Sequence, residues 1–309
     1  MLLARLFFLE LGLDYIIFDL EWNNAYNYAT KKGVNEIVEI GAIKLDRYLN
    51  TVDTFRLLVR PKLSRRLSTH FKALTHMTLE ELRRDGVAFE TAVQDFRRWA
   101  GLPQNNVFMS WSNSDLYVLA ENFRRVFGTT DISFIQNYAD VQQYCQSFLD
   151  LPDGSKNQVG LTDCADALGL QYNDGLHHHA LFDCELSAMC FCRVFDEKKF
   201  SAFVHRCEND YFSRLLFKPY SITKPVVQGF NVYQMEHGCP SCGAPLRRLR
   251  AYEVVNGAFK TVAVCDRCDR LYWVHVRAKM TYDGVRTASR VYLVGRKRAK
   301  KLYENLKKS

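Results

Sequence analysis

The chain has 309 residues, of which 48% are hydrophobic and 25% are charged, and these ordinary values exclude a collagen-like, low-complexity or largely disordered protein. The net charge of +8 is spread unevenly, because residues 231–309 hold 17 Lys and Arg against 6 Asp and Glu, whereas the remainder holds 25 against 28. The basic C-terminal part indicates a polyanionic partner, although charge alone does not separate a nucleic acid, an anionic membrane and a merely solvated surface.

The N-terminal residues 1–13 are apolar, but Arg5 and Glu10 interrupt them. A membrane-spanning helix needs about 20 apolar residues. No small-residue cleavage site precedes Asp14, where the first buried strand is predicted to begin. We therefore interpret residues 1–13 as an N-terminal extension, or as sequence upstream of the true start, and we expect no membrane association.

The following part of the chain predicts a mixed sheet covered by helices, because strand patterns come first and a strand and several helices follow. The polar segment 21–36 predicts a loop, and Thr78-x-x-Glu81 has the form of a helix start. Short apolar runs predict strands at 15–18, 37–45, 54–59 and 107–109. Apolar spacing and helix-stop signals predict helices at 89–99, 114–127, 139–149, 161–168 and 180–195.

The first predicted strand ends in Asp19-Leu20-Glu21. Alternate residues of a strand point to the same side, so Asp19 and Glu21 present two carboxylates together while Leu20 points into the core. Two like charges held close repel unless a cation or a proton relieves them, and Mg²⁺ and Mn²⁺ prefer oxygen ligands. The alternative interpretation is a pair of solvated acids at a strand end.

Two more acids lie at the beginning of predicted helices. Asp115 lies in the first turn of one helix, where an acid that interacts with the helix macrodipole is common. Asp183 lies at the start of another helix and follows His177, His178 and His179. A neutral imidazole near a metal-bound water can accept its proton, whereas three adjacent histidines can also form a local metal-binding tract.

In combination, these motifs resemble the DEDDh branch of the DEDD exonuclease superfamily, whose members include RNase T and the proofreading exonuclease subunit of bacterial DNA polymerase III. The apolar strand ending in Asp19-x-Glu21 matches the first motif of the family, Asp115 matches the second, and His178 with Asp183 matches the third. The resemblance extends over residues 14–195. It implies a ribonuclease H-like fold with a mixed five-stranded sheet flanked by helices.

The resemblance also implies a metal-dependent 3′→5′ exonuclease that hydrolyses single-stranded DNA or RNA with two Mg²⁺ or Mn²⁺ ions. Two such ions, about 3.5–4 Å apart, deprotonate the attacking water and stabilise the leaving oxygen. By this resemblance Asp19 bridges both ions, Glu21 and Asp183 complete the tighter site, Asp115 acts directly or through water, and His178 is the general base.

The identity of the base has an alternative. Helical spacing favours His179, because it lies four residues before Asp183 and would share a face with it. The family pattern favours His178, and we follow that pattern. Further candidates for contacts with the nucleic acid are Trp22 and Tyr26, whose rings can stack on a base, and His76, which precedes a helix that flanks the active site in relatives.

Two cysteine pairs, Cys239-x-x-Cys242 and Cys265-x-x-Cys268, lie 22 residues apart near the C-terminus. Each pair can form a tight knuckle, and two knuckles make a tetrahedral Cys₄ site for one structural Zn²⁺. A redox-active pair and a chance coincidence are the alternatives. The six other cysteines lack a regular framework, so we expect free thiols and a cytoplasmic protein. They are Cys145, Cys164, Cys184, Cys190, Cys192 and Cys207.

The predicted domains are an extension at 1–13, an exonuclease domain at 14–197, a connector at 198–235, and a small β-rich zinc ribbon with a basic tail at 236–309. Cations and aromatic side chains around the cysteines, among them Arg247, Arg270 and Trp273, suit contacts with phosphates and bases. The ribbon can equally dock a protein. The alternative function is a nucleic-acid-binding or adaptor protein that has an exonuclease fold and little catalysis.

Overall fold

The computed structural model describes residues 13–149, 158–173 and 179–305, with the side chain of the last residue excepted. The chain divides into two compact units between Leu216 and Phe217, within the stretch that the sequence predicts as a connector. No helix in the described ranges is both long enough and apolar enough to cross a membrane.

The first unit is built on a mixed sheet with the strand order β3-β2-β1-β4-β5-β6. Its strands are β1 (Asp14–Asn27), β2 (Lys32–Leu45), β3 (Thr51–Leu58), β4 (Asn106–Ser110), β5 (Asn137–Asp140) and β6 (His205–Arg206). β1, β2 and β3 form an antiparallel meander, whereas β4 runs parallel to β1 and β5 parallel to β4. This architecture confirms the predicted ribonuclease H-like fold, to which the short β6 adds a sixth, antiparallel strand.

Helices cover both faces of this sheet. They are α1 (Thr69–Thr75), α2 (Leu79–Asp85), α3 (Phe89–Ala100), α4 (Ser114–Phe127), α5 (Val141–Gln146), α6 (Leu161–Ala167), α7 (Ala180–Val194), α8 (Glu197–Phe200) and α9 (Tyr211–Leu216). The predicted capping box at Thr78 and Glu81 is present at the start of α2. The helix predicted over 139–149 is shorter, because its first residues belong to β5, which carries no separate turn signal before it.

The alternation of β1 divides the core into two layers. Ile16, Phe18 and Leu20 belong to the cluster that packs under α3 and α4. Tyr15 and Ile17 belong to the cluster that packs under α5 and α7. Because side chains of odd and even number point to opposite faces, the two carboxylates at the end of β1 lie on the α7 side.

The polar segment 21–36 is a β-hairpin, and the prediction of a loop was wrong. The antiparallel pairing of β1 and β2 continues through Ala25↔Val34 to Asn27↔Lys32. The backbone ladder supplies the hydrogen bonds, and the Asn24 side-chain amide adds one to Asn35 Oδ1 at 3.1 Å. One face of this ribbon is buried, but it carries the polar residues Asn23 and Glu36, and the tip of the hairpin is exposed. The sequence therefore lacks the apolar alternation by which strands are predicted.

The second unit is rich in β-structure, as the sequence predicts. It holds β7 (Tyr220–Ser221), β8 (Val226–Val227), β9 (Phe230–Asn231), β10 (Arg247–Arg248), β11 (Glu253–Val255), β12 (Ala258–Cys265), β13 (Arg270–Thr281), β14 (Gly284–Val294) and the C-terminal helix α10 (Arg296–Asn305). Its main sheet has the order β10-β12-β13-β14, with β11 paired to β12 and β7 to β13. One face of this sheet is apolar and includes Phe259, Val274 and Val276.

Candidate active site

Asp19 and Glu21 project from the same face of β1 because they are two residues apart in a strand. Leu20, between them, is 2% exposed and packs in the core below the other face. The register with β2 shifts between Glu21 and Trp22, which is a β-bulge immediately after the second carboxylate. Bulges of this kind redirect side chains at the edge of a functional site.

Asp183 reaches the same place from the first turn of α7. The helix approaches the sheet closely at Gly41 of β2, the residue that pairs with Asp19. A Cβ atom at Gly41 would overlap the backbone of Ala180 and Leu181, which begin α7. A glycine at this position is therefore what allows the helix start to contact the sheet beside the first carboxylate.

The carboxylate oxygens of Asp19, Glu21 and Asp183 lie within 4.8 Å of one another. Asp115, from the first turn of α4, is not part of this group of three but lines the same cleft. Its Oδ1 accepts a hydrogen bond of 3.1 Å from the backbone N–H of Leu20. Four carboxylates from three distant stretches of the chain thus converge on one end of β1.

The electrostatics of this cluster favour a bound cation. Burial and the neighbouring carboxylates, Asp115 foremost, raise the pKa of Asp19 well above its usual value. Burial and then the charge of Asp183 raise the pKa of Glu21 to about 8. Burial also raises the pKa of Asp115 to about 7, although the hydrogen bond from Leu20 acts in the opposite direction. Acids that repel one another in this way are relieved by divalent cations.

A fifth carboxylate, which the sequence analysis did not single out, adds to this charge. Glu39 of β2 is directly opposite Glu21 in the register and is completely buried. Its Oε1 forms an ion pair with Arg56 of β3, whereas its Oε2 has no hydrogen-bond partner among the described residues. Glu39 lies beside the site because of the pairing of β1 with β2, which the sequence does not show directly. The sequence does show that Glu39 is an acid within an apolar strand, which is unusual for a buried residue.

The carboxylates lie in an open cleft of about 510 Å³. Ser112, at the rim of the cleft, has a backbone φ of 73°, a left-handed conformation that is uncommon for residues other than glycine. Leu161 and Thr162, at the start of α6, form another part of the wall. No local pattern marked these residues as functional. The residues that line the cleft are Asp19, Leu20, Glu21, Trp22, Trp111, Ser112, Ser114, Asp115, Leu161, Thr162 and Asp183.

Comparison with known families accounts for this arrangement. The family model of the RNase T type, described as an exonuclease, matches residues 16–191, more than half of the chain. The chain belongs to this exonuclease family. Membership confirms the resemblance to DEDDh exonucleases and makes the protein a metal-dependent nuclease, a hydrolase of phosphodiester bonds. The family uses divalent metals, and the three clustered carboxylates are oxygen ligands of the kind such ions require.

Several solved structures of nucleases are similar to this chain. The cell-death related nuclease 4 (CRN-4) is 17% identical with a TM-score of 0.49, and the match covers 59% of this chain and 64% of CRN-4. The nuclease domain of 3′hExo, a DEDDh family member bound to rAMP, is 20% identical with a TM-score of 0.48, over 60% and 92%. E. coli exonuclease I with a dA16 oligonucleotide is 14% identical with a TM-score of 0.49, over 81% and 55%. No curated protein matches the exonuclease in sequence.

Two of the predicted histidines, His177 and His178, lie outside the described residues. His179 is the N-cap residue of α7, and its carbonyl accepts the backbone N–H of Asp183 at 3.1 Å. His179 is not among the described residues that line the cleft. His76 ends α1 in a left-handed conformation and is exposed.

The aromatic candidates take different positions. Trp22 is half-buried and lines the cleft beside Glu21. Tyr26 is 48% exposed on the hairpin and forms an edge contact with Tyr28, with the ring centroids 5.0 Å apart. The Arg65 guanidinium lies over the Tyr28 ring at 4.8 Å. The hairpin therefore presents two exposed rings, and Arg65 from the segment after β3 covers one of them.

The four cysteines of the second unit form a compact cluster, with all sulfur atoms within 4.8 Å of one another. The Sγ atoms of Cys239 and Cys268 are 3.6 Å apart, and those of Cys242 and Cys265 are 3.5 Å apart. A tetrahedral zinc–thiolate site with bonds of about 2.3 Å separates its sulfurs by about 3.8 Å, so the spacing fits. Burial alone would raise the pKa of Cys239, but hydrogen bonds, first that of the Tyr272 hydroxyl, lower it to about 6.

The basic candidates near these cysteines have partners within the protein. Arg247 forms two hydrogen bonds of 2.8 Å with the Asp266 carboxylate. Arg270 donates to Ser241 Oγ at 2.7 Å. Trp273 is partly buried against the C-terminal helix. These three predicted contact residues are therefore engaged in the second unit itself.

Proposed function

We propose that the protein is a 3′→5′ exonuclease that hydrolyses single-stranded DNA or RNA by a two-metal-ion mechanism. The observation that supports this proposal most directly is the cluster of three carboxylate ligands at the end of β1, with Asp115 hydrogen-bonded behind them. This cluster lies in an open cleft, where the end of an extended strand has access.

Each carboxylate has a proposed role. Asp19, the central acid, would be a ligand shared by two Mg²⁺ or Mn²⁺ ions, and Glu21 and Asp183 would complete the tighter site. Asp115 acts directly or through a water. When bound, the two ions lower the pKa of the attacking water and stabilise the leaving oxygen. His178, just before α7, accepts the proton of that water, and Trp22 and Tyr26 contact the terminal nucleotides.

We further propose that Cys239, Cys242, Cys265 and Cys268 hold one structural Zn²⁺, and that the second unit aids the binding of nucleic acid. Four protein thiolates leave no open position for substrate, so the role of this ion is to stabilise the fold. The basic composition of the C-terminal residues supports binding of a polyanion.

The central test compares labelled DNA and RNA oligonucleotides of equal length, each with a free and with a blocked 3′ end, in Mg²⁺ or Mn²⁺. We expect stepwise shortening from the free 3′ end and none from the blocked end. Asp19→Asn abolishes the reaction, while Asp131→Asn, an exposed acid outside the cleft, retains it. Shortening from the 5′ end, or full activity of Asp19→Asn, would contradict the proposal.

A second test assigns the base. His178→Ala abolishes cleavage and leaves metal binding largely intact, because the imidazole moves a proton and holds no ion. His179→Ala serves as the matched control one position away, and it retains cleavage. An inactive His179→Ala beside an active His178→Ala assigns the base to His179 instead.

A further inference from the structure

One face of the second unit collects cations that form no ion pair within the part of the chain that the structure describes. β13 and β14 form a long antiparallel pair from Leu271↔Val294 to Thr281↔Gly284. The even-numbered residues of β13 pack in the apolar core of the second unit, and its odd-numbered residues point to the opposite face of the sheet. We name this other side the basic face; it comprises His275, Arg277 and Lys279 of β13 with Arg286, Arg290 and Tyr292 of β14.

The register arranges the basic face in rows across the two strands. His275 is opposite Arg290, and Lys279 is opposite Arg286. Rows two residues apart along a strand are separated by about 6.6–6.8 Å. The four cationic side chains of the basic face are exposed, and none of the ion pairs among the described residues involves them. They are Arg277, Lys279, Arg286 and Arg290.

Neither β13 nor β14 contains an acidic residue, although Asp283 lies in the turn between them. Across the sheet, the next cation is Lys260 of β12, which is opposite His275. The acid opposite Lys260, Glu253 of β11, forms an ion pair with Arg250. The basic face therefore carries a positive charge that no ion pair between described residues offsets.

Rings lie next to these cations. The His275 ring contacts the rings of Trp273 and Tyr292, with centroids 5.4 Å and 5.3 Å away. Tyr292 is 43% exposed. Desolvation, with the charges of Lys260 and Arg277, lowers the pKa of His275 and thereby favours its neutral ring.

Structural needs do not account for this composition. Charged residues do protect an edge strand such as β14 from pairing with another chain. That role does not require Arg277 and Lys279, which lie on the inner strand β13. Like charges directly opposite each other, as in Lys279 and Arg286, destabilise a sheet. An anionic ligand would relieve this repulsion.

We propose that the basic face binds a single-stranded nucleic acid, with its cations on successive phosphates and with Tyr292 stacked on a base. Aromatic rings interleaved with cations are the recognition elements of proteins that bind single strands without sequence preference. The inference rests on the proposed function for its choice of ligand, but it concerns residues far along the chain from the carboxylates. It places the contact on β13 and β14 and not at Arg247 and Arg270, which are engaged elsewhere.

The test measures the binding of a labelled oligothymidylate by fluorescence anisotropy. The full chain carries Asp19→Asn so that the strand is not degraded, and no chelator is added so that the zinc site is preserved. The double variant Arg286→Gln/Arg290→Gln should bind about tenfold more weakly, and the slope of log affinity against log salt should fall by about 1.4. Tyr292→Ala should weaken binding on the order of tenfold without changing that slope.

The matched control is Arg247→Gln/Arg267→Gln, which removes the same charge from the same unit at the cysteine knuckles. It should bind close to wild type. Since Arg286→Gln relieves repulsion from Lys279, its melting temperature should not fall, which excludes misfolding as the cause of weaker binding. Equal binding by the two double variants would overturn the proposal. The proposal would also be overturned if the basic face were needed for binding anionic vesicles but not for binding the oligothymidylate.

Catalysis separates this proposal from the proposed function. If the wild-type chain degrades no oligonucleotide and Arg286→Gln/Arg290→Gln still loses binding, the exonuclease direction or substrate is wrong and the basic face stands. If the wild-type chain degrades oligonucleotides and this variant binds like wild type, the basic face is wrong and the proposed function stands. If both are right, the variant has a raised KM for long strands and normal turnover of trinucleotides.

Discussion

At the scale of single residues, the active site brings together carboxylates that raise one another's pKa. Burial and the charges of Asp183 and Glu39 are the three largest influences on the pKa of Glu21, and all three raise it. Such a site is strained without cations and relaxed with them, because metal binding requires the deprotonated acids that repulsion opposes.

This strain predicts a pH-dependent stability of the metal-free protein. Glu21 has a pKa of about 8 in the folded protein and an ordinary pKa of 4.5 in the unfolded chain. Its contribution to stability is therefore greatest below pH 4.5 and is lost as the pH rises towards 8. The melting temperature without Mg²⁺ or Mn²⁺ should fall over this window by on the order of 5 °C, and either ion should restore it.

Glu21→Gln should flatten that pH dependence, and thermal melts of both proteins across the window measure it. Asp131→Asn, which removes an exposed acid, should melt with the same pH dependence as wild type. A Glu21→Gln profile as steep as that of wild type would show that the buried carboxylate is not responsible.

The buried Glu39 gives a second prediction at this scale. Glu39→Gln removes a negative charge opposite Glu21 and should weaken the attraction of cations to the site. The Mg²⁺ concentration for half-maximal cleavage should rise by about three- to tenfold, with a smaller change of the rate at saturating Mg²⁺. Metal titrations of the cleavage rate measure this effect, and an unchanged Mg²⁺ requirement would limit Glu39 to pairing with Arg56.

At the scale of elements, the contact between α7 and β2 decides whether Asp183 reaches Asp19. That contact depends on Gly41, where a Cβ atom would overlap the start of the helix. Gly41→Ala should displace α7 by a fraction of an ångström to an ångström, and a shift of this size can lower catalysis on the order of 100-fold.

A matched control lies in the same strand. Gly33→Ala introduces a Cβ whose nearest neighbour, Asn24 Nδ2, is 3.9 Å away, which is an ordinary contact. It should retain activity and stability. Cleavage rates and melting temperatures of the two variants are compared, and a fully active Gly41→Ala would show that α7 can adjust without moving its carboxylate.

Local patterns predicted most elements of the first unit because their apolar periodicity is strong. The helix at Ser114–Phe127 has the predicted bounds, since buried residues recur on one side and Gly128 ends it in a left-handed conformation. The hairpin of β1 and β2 was missed because its buried face carries the polar residues Asn23 and Glu36 and because its tip is exposed. Backbone pairing, which is independent of side-chain polarity, forms it.

At the scale of the whole molecule, the two units have separate sources of stability. The first has two large apolar layers around its sheet. The second has a smaller apolar cluster and the four cysteines. Small β-rich units commonly need a metal to remain folded, because they bury too little apolar surface.

Loss of the zinc site should therefore affect one unit and spare the chemistry of the other. Cys265→Ser should purify without its bound zinc and lose the folded second unit, while short oligonucleotides are still cleaved. Metal content, circular dichroism and cleavage rates measure this. Cys207→Ser, a half-buried thiol in the first unit, is the control and should keep its zinc. A folded second unit in zinc-free Cys265→Ser would contradict a structural role for the metal.

The sequence by itself determined those features that depend on neighbours along the chain. Asp19 and Glu21 share a face because a strand repeats every two residues. The two cysteines of each Cys-x-x-Cys pair can bind the same ion because their spacing spans a single turn. The tertiary structure alone decided that Asp115 meets the backbone of Leu20 across 95 residues, that Glu39 faces Glu21, and that the cations of β13 and β14 lie side by side on the basic face. These positions follow from strand register and from the closeness of helix packing, which depend on segments distant in the chain.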